Sequence, residues 1–100
     1  MHQNFKTLEL AILLHKKVAP LEIPFYQKEQ LQRASQSIAL NLSEGAGRFT
    51  SSEKKRFYKI AFGSLRETQT ILKMLELKDE EILSLADKTA ASLYKLIKAL

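Results

Sequence analysis

Apolar residues recur with a helical period along nearly the whole chain, and the breaks fall at a few glycines and prolines. The first periodic segment covers about residues 5–19. Phe5, Leu8, Ala11, Ile12, Val18 and Ala19 share one face of it, while Lys6, Glu9, Lys16 and Lys17 share the other. Pro20 ends this helix, because proline cannot continue the backbone ladder. The stretch "PLEIPFY" then predicts an extended crossing, since a residue before proline is pushed away from helical geometry. A second helix is predicted over about 27–44, with Leu31, Ala34, Ile38 and Leu42 facing the core and Gly45 or Gly47 supplying a left-handed end. Thr50 with Glu53 forms a capping box that opens a third helix over about 51–77. Its expected core stripe is Phe57, Ile60, Ala61, Ser64, Ile71, Leu72 and Leu75. Asp79 is the expected cap of a fourth helix over about 80–100, where Ile82, Leu85, Ala86, Ala90, Leu93, Leu96, Ile97 and Leu100 line one side. Four amphipathic helices with short links predict one all-α domain, an antiparallel up-and-down four-helix bundle.

Three large hydrophobes break the pattern. Leu13 falls among the charges of the first helix, Leu40 on the outer side of the second, and Phe62 almost opposite the expected stripe of the third. One such residue needs no explanation. Three, on three helices of a thin bundle, point to a second buried face and therefore to contacts between copies of the chain.

Polar residues also keep a helical register. In "RASQSIALNLSEGAGRF", Arg33, Ser37, Asn41 and Glu44 follow one edge of the second helix. On the third helix "AFGSLRE" offers a mate, with small Gly63 and Ser64 and the acidic Glu67. If the two edges meet, Ser37 and Asn41 bond across the seam, and Arg33 or Arg48 pairs with Glu44 or Glu67, because buried polar groups need partners.

Charge sharpens the picture. The net formal charge is +5, and seven basic residues stand against two acidic ones between Arg33 and Arg66, so the whole excess sits in the central third. On the third helix Lys55, Lys59, Arg66 and Lys73 fall within a narrow arc, with Phe62 at its margin. Such a row suits phosphates, and a nearby ring offers a stacking surface. With Arg48 it forms the candidate nucleic-acid-binding set. The alternative is a solvated lysine face with Phe62 buried against another subunit.

Catalytic chemistry has little to work with. Glu44 and Glu67 are a candidate carboxylate pair, but no nucleophile or second base accompanies them. "GAGR" lacks the Lys-Ser/Thr ending of a phosphate loop. His2 stands at the start of the chain, and His15 has no acidic residue three positions before it, unlike the Glu-x-x-His pairs of di-metal bundles. A hydrogen-bonded seam histidine is the expected role of His15. The chain has no cysteine, which removes disulfides and thiolate metal sites. The apolar run Leu10–Leu14 is too short for a signal core or a membrane span. The expectation is a cytoplasmic, non-enzymatic protein without cofactor or metal and without a membrane partner.

The order Arg33-Ala34, Ser37-Ile38, Asn41, Glu44-Gly45 and Arg48, then Gly63-Ser64 and Glu67 one helix later, resembles the four-helix-bundle proteins encoded in intervening sequences of 23S ribosomal RNA genes. These are similar in turn to the accessory variability proteins of diversity-generating retroelements. The family often has proline where Ala39 stands and isoleucine where Leu42 stands. The resemblance implies a bundle assembling into a ring-like pentamer with a basic surface, and nucleic acid or a reverse transcriptase as candidate partners. It names a genomic setting more than an activity. The expected function is an oligomeric bundle binding RNA or DNA through the basic face of the third helix. The alternative is an assembly or adaptor protein whose partner is another protein.

Overall fold

The computed structural model describes residues 5–100. Four helices follow one another: α1 (Lys6–Val18), α2 (Phe25–Ala46), α3 (Ser51–Met74) and α4 (Glu80–Lys98). Each packs on the helix before it, α4 returns to α1, and the backbones of the diagonal pairs do not come close among the described residues. Cross-links run in opposite chain directions at every junction: His15 meets Ser35, Ser37 meets Ser64, Gln69 meets Asp87 and Thr7 meets Ser92. The bundle is thus antiparallel and up-and-down, 40 × 22 × 19 Å in extent.

The helix ends show local chemistry at work. Thr50 accepts from the Glu53 N–H at 3.0 Å and Asp79 from the Ile82 N–H at 3.1 Å, so both residues expected to cap helices do so. The end of α1 is closed from outside, where the Gln32 side chain of α2 donates to the Ala19 carbonyl at 3.0 Å. The second helix begins two residues earlier than expected, directly after Pro24, and runs two residues further, through Gly45. No glycine here adopts a left-handed backbone; Gly47 ends α2 with φ −85°. The left-handed residue is instead Glu76, φ 54°. Its N–H donates to Lys73 O at 3.0 Å and the Leu77 N–H donates to Leu72 O at 3.2 Å. That is a Schellman closure, and it stops α3 at Met74, short of Leu77. Neither glycine nor proline marks the spot.

The core is built from Leu14, Leu31, Ile38, Leu42, Leu65, Leu72 and Leu93, with smaller residues between them. Two helices are turned relative to the expected faces. On α1 the buried positions are Thr7, Ala11, Leu14 and Val18, while Ile12 is exposed. On α3 they are Tyr58, Ala61, Leu65, Thr68, Ile71 and Leu72, while Ile60 is 44% exposed. The cause on α3 is hydroxyl chemistry. Thr68 is buried because its hydroxyl bonds back to Ser64 O at 2.9 Å, and Thr89 of α4 does the same to Leu85 O at 2.7 Å. Counted as polar, Thr68 and Tyr58 shift the apparent stripe towards Ile60. Burial also raises the pKa of the Tyr58 phenol above its ordinary value.

Candidate functional site

Helices α2 and α3 share the most extensive junction of the bundle, and their backbones come close at Gly45. A Cβ there would lie 2.7 Å from Tyr58 Cε1 and 3.0 Å from Phe57 Cβ. Glycine lets the end of α2 rest against the aromatic start of α3. The small residue picked out on α3, Gly63, plays no such part: its outer side is open, and a methyl group placed there would meet no atom within 4 Å.

Polar groups occupy the edge of this junction. Ser37 Oγ and Ser64 Oγ lie 2.9 Å apart and share a hydrogen bond across the seam. Asn41 does not cross it. Its amide donates back to Ser37, to the carbonyl at 2.9 Å and to Oγ at 3.1 Å, and so orients the hydroxyl that bridges the helices. One turn away Arg33 donates to Glu67 Oε2 at 2.9 Å and to Gln30 Oε1 at 2.7 Å. Glu44 pairs with Arg48 at the tip of the hairpin, along its own stretch of chain rather than across the seam. The row therefore divides. Arg33, Ser37, Ser64 and Glu67 join the two helices, Asn41 supports them, and Glu44 serves the tip. His15 sits on the neighbouring junction, its Nδ1 2.8 Å from Ser35 Oγ. His2 lies outside the described residues.

The tip gathers cations. Arg48 and Arg56 bring their guanidinium carbons to 4.7 and 4.5 Å from the centre of the Phe57 ring. Lys54 donates to the Ala46 carbonyl at 3.1 Å, closing α2. Arg48 is thus committed to Glu44 and Phe57, which leaves it less free for a ligand than its place in the sequence suggests. Lys55 and Lys59 differ: neither makes an ion pair or a side-chain hydrogen bond among the described residues. With Ser51, Ser52 and Arg56 they line a shallow hollow at the positive end of the α3 dipole.

Further along the same face Arg66 is exposed, stacked 4.8 Å over Phe62 and donating to Gln69 Oε1 at 2.7 Å. Gln69 donates in turn to Asp87 of α4 at 3.2 Å. Lys73 is exposed and borders the groove that Arg66 opens onto between α3 and α4. Phe62 is not opposite the core: it is half-buried against it and carries Arg66 on its ring. Of the residues expected at subunit contacts, Leu40 is 60% and Leu13 44% exposed.

Glu44 and Glu67 each face a guanidinium rather than each other. Among the described residues no three His, Asp or Glu side chains come together as metal ligands. No described helix is long and apolar enough to cross a membrane. Sequence reasoning misses several exposed rings and apolar side chains, namely Phe25, Tyr26, Phe49 and Met74. Phe25 and Tyr26 fall in the expected extended crossing, where exposure carries no signal, and Met74 falls within the longer helix that the periodicity predicts.

The family model of the 23S rRNA-intervening sequence protein matches residues 2–100. The chain belongs to that family. The matched span takes in all four helices, including the Arg33–Glu67 and Ser37–Ser64 links between α2 and α3. No curated protein and no solved structure matches the chain at a significant level.

Proposed function

We propose that this member of the family is a non-enzymatic helical bundle that binds RNA or DNA through the outward basic face of α3 and works as a ring-like homo-oligomer. The observation that carries the reading is a division of cations. Arg33 and Arg48 are neutralised by Glu67 and Glu44, whereas Lys55, Lys59 and Lys73, in register on the outer face, pair with no acid among the described residues. Unpaired cations aligned along about 27 Å of helix, at about 1.5 Å per residue, suit a phosphate backbone, whose counterions they displace. Arg66 adds a fourth charge, held in position by Phe62 and Gln69.

Replacing Lys55, Lys59 and Arg66 together by Glu tests this. Fluorescence anisotropy against a structured RNA, a single-stranded DNA and a duplex is expected to show a loss of at least about a hundredfold, with the helical circular dichroism unchanged. Retained affinity in the triple variant would refute the reading.

A second reading rests on the exposed apolar side chains. Leu40 of α2 and Ile60 of α3 are exposed, and the outer side of Gly63 on α3 is open, which favours a helical contact with another protein chain. Under it, Leu40→Lys and Leu13→Lys lower the sedimentation coefficient or abolish partner binding, while the lysine changes on α3 have no effect.

A further inference from the structure

Phe49 is 97% exposed, the most exposed large hydrophobe described, yet it is not in a slack loop. The connection between α2 and α3 is four residues long and tied on both sides. Before Phe49, the Arg48 N–H donates to Gly45 O at 3.1 Å, and the Arg48 side chain is held by Glu44 and Phe57. After it, Thr50 caps α3 through both its hydroxyl and its carbonyl, the latter accepting from the Lys54 N–H at 3.0 Å. The backbone that carries the ring is therefore held on both sides, with little freedom left to lose.

Its surroundings are cationic. From Glu44 to Lys59 the chain carries five basic residues and two acidic ones, Glu53 and the Glu44 that pairs with Arg48. Arg56 offers a planar guanidinium group beside Phe57, and Lys55 and Lys59 follow one turn apart on α3. A phosphate backbone held on those lysines passes the tip of the hairpin, where Phe49 projects. In a duplex the bases are stacked inside and cannot meet the ring; an unpaired base can lie flat on it.

We infer that Phe49 is a stacking platform for an unpaired nucleobase, so that the tip selects single-stranded or looped nucleic acid over continuous duplex. This rests on the cationic-face reading above and adds the strand form of the ligand to it.

The test compares the parent, Phe49→Ala, Phe49→Trp and the Lys55/Lys59/Arg66→Glu triple variant. Probes are a labelled single-stranded RNA, the DNA of the same sequence, and the two corresponding duplexes. The parent is expected to prefer both single strands. Phe49→Ala should lose about tenfold on the single strands, keep its duplex affinity, and keep its salt dependence, helicity and sedimentation. Phe49→Trp should restore binding, and its indole emission should be quenched by single strands and not by duplex. RNA bound more tightly than DNA by parent and Phe49→Ala alike assigns that preference to contacts other than the ring and leaves the stacking supported. Equal affinity of Phe49→Ala and parent for the single strands overturns the inference, as does an equal loss on duplex. A changed sedimentation coefficient in Phe49→Ala also overturns it, by making the ring a contact between protein chains. If the triple variant loses affinity and Phe49→Ala does not, only the stacking falls. If the parent binds no probe, or the triple variant binds as the parent does, the cationic-face reading falls with it.

Discussion

Two faces of α3 both carry polar residues and use them differently. Towards α2, Ser64 and Glu67 each have a partner on the other helix. Outward, Lys55, Lys59 and Lys73 have none among the described residues. Side chains that satisfy one another fix how two helices sit, because a slip would strand them unpaired. Side chains that satisfy nothing contribute little to the fold and remain available to a ligand. Polar residues on two sides of one helix thus divide into scaffold and surface.

Gly45 and Gly63 should separate these faces most sharply. Gly45→Ala forces a methyl onto Tyr58 and Phe57 where the seam is tight. Overpacking of this kind costs about 1–3 kcal/mol, and the better helix propensity of alanine recovers about 1. A net loss of up to about 2 kcal/mol in urea unfolding is expected. Gly63→Ala meets open space and should gain about 0.5–1 kcal/mol in the same experiment. Equal effects at the two positions would mean that α2 and α3 are not in close contact at Gly45.

Next in size is the end of α3. Glu76 holds a left-handed backbone that costs a side-chain-bearing residue about 1 kcal/mol. Glu76→Gly should raise stability by about 0.5–1 kcal/mol, read as a higher unfolding midpoint with the slope unchanged. A destabilised variant would show that the Glu76 side chain contributes something the backbone geometry does not.

The hydroxyl pair comes after that. A double-mutant cycle over Ser37→Ala and Ser64→Ala is expected to give a coupling of about 0.5–1 kcal/mol. Zero coupling would remove the bridge from the seam. Smallest is Arg33 with Glu67. Their side chains are 60% and 42% exposed, so solvent screens the pair, and Arg33→Ala should cost at most about 0.5 kcal/mol, less in high salt.

Much of this is legible in the sequence. Periodicity and punctuation find four helices, and the cap chemistry of Thr50 and Asp79 locates two of their starts. Arg33, Ser37, Ser64 and Glu67 stand out because their spacing matches a helix edge. The misplaced features share a cause: they depend on how one helix turns against two neighbours. Thr68 and Tyr58 look polar by residue type and are buried because a hydroxyl can bond locally and a ring can pack. Gly45 resembles a helix end and is instead a point of contact. Glu76 takes a left-handed conformation that no residue type announces. A stripe centred on Ile60 puts Phe62 outside, and the true stripe, through Tyr58 and Thr68, brings it back against the core. Leu13 and Leu40 are exposed on the single chain, and the proposed contacts between copies at these positions are a matter for sedimentation.

The central claim is that the seam cation Arg33 is occupied by Glu67 while the outward cations are left to hold the ligand, and the salt dependence of binding tests it most directly. Each phosphate contact on a single strand contributes about −0.7 to the slope of log K against log salt. Lys55→Gln and Lys59→Gln should each make the parent slope shallower by about that amount, whereas Arg33→Gln should leave it unchanged. An Arg33→Gln slope as shallow as that of Lys59→Gln, or a Lys59→Gln slope equal to the parent's, would contradict the account.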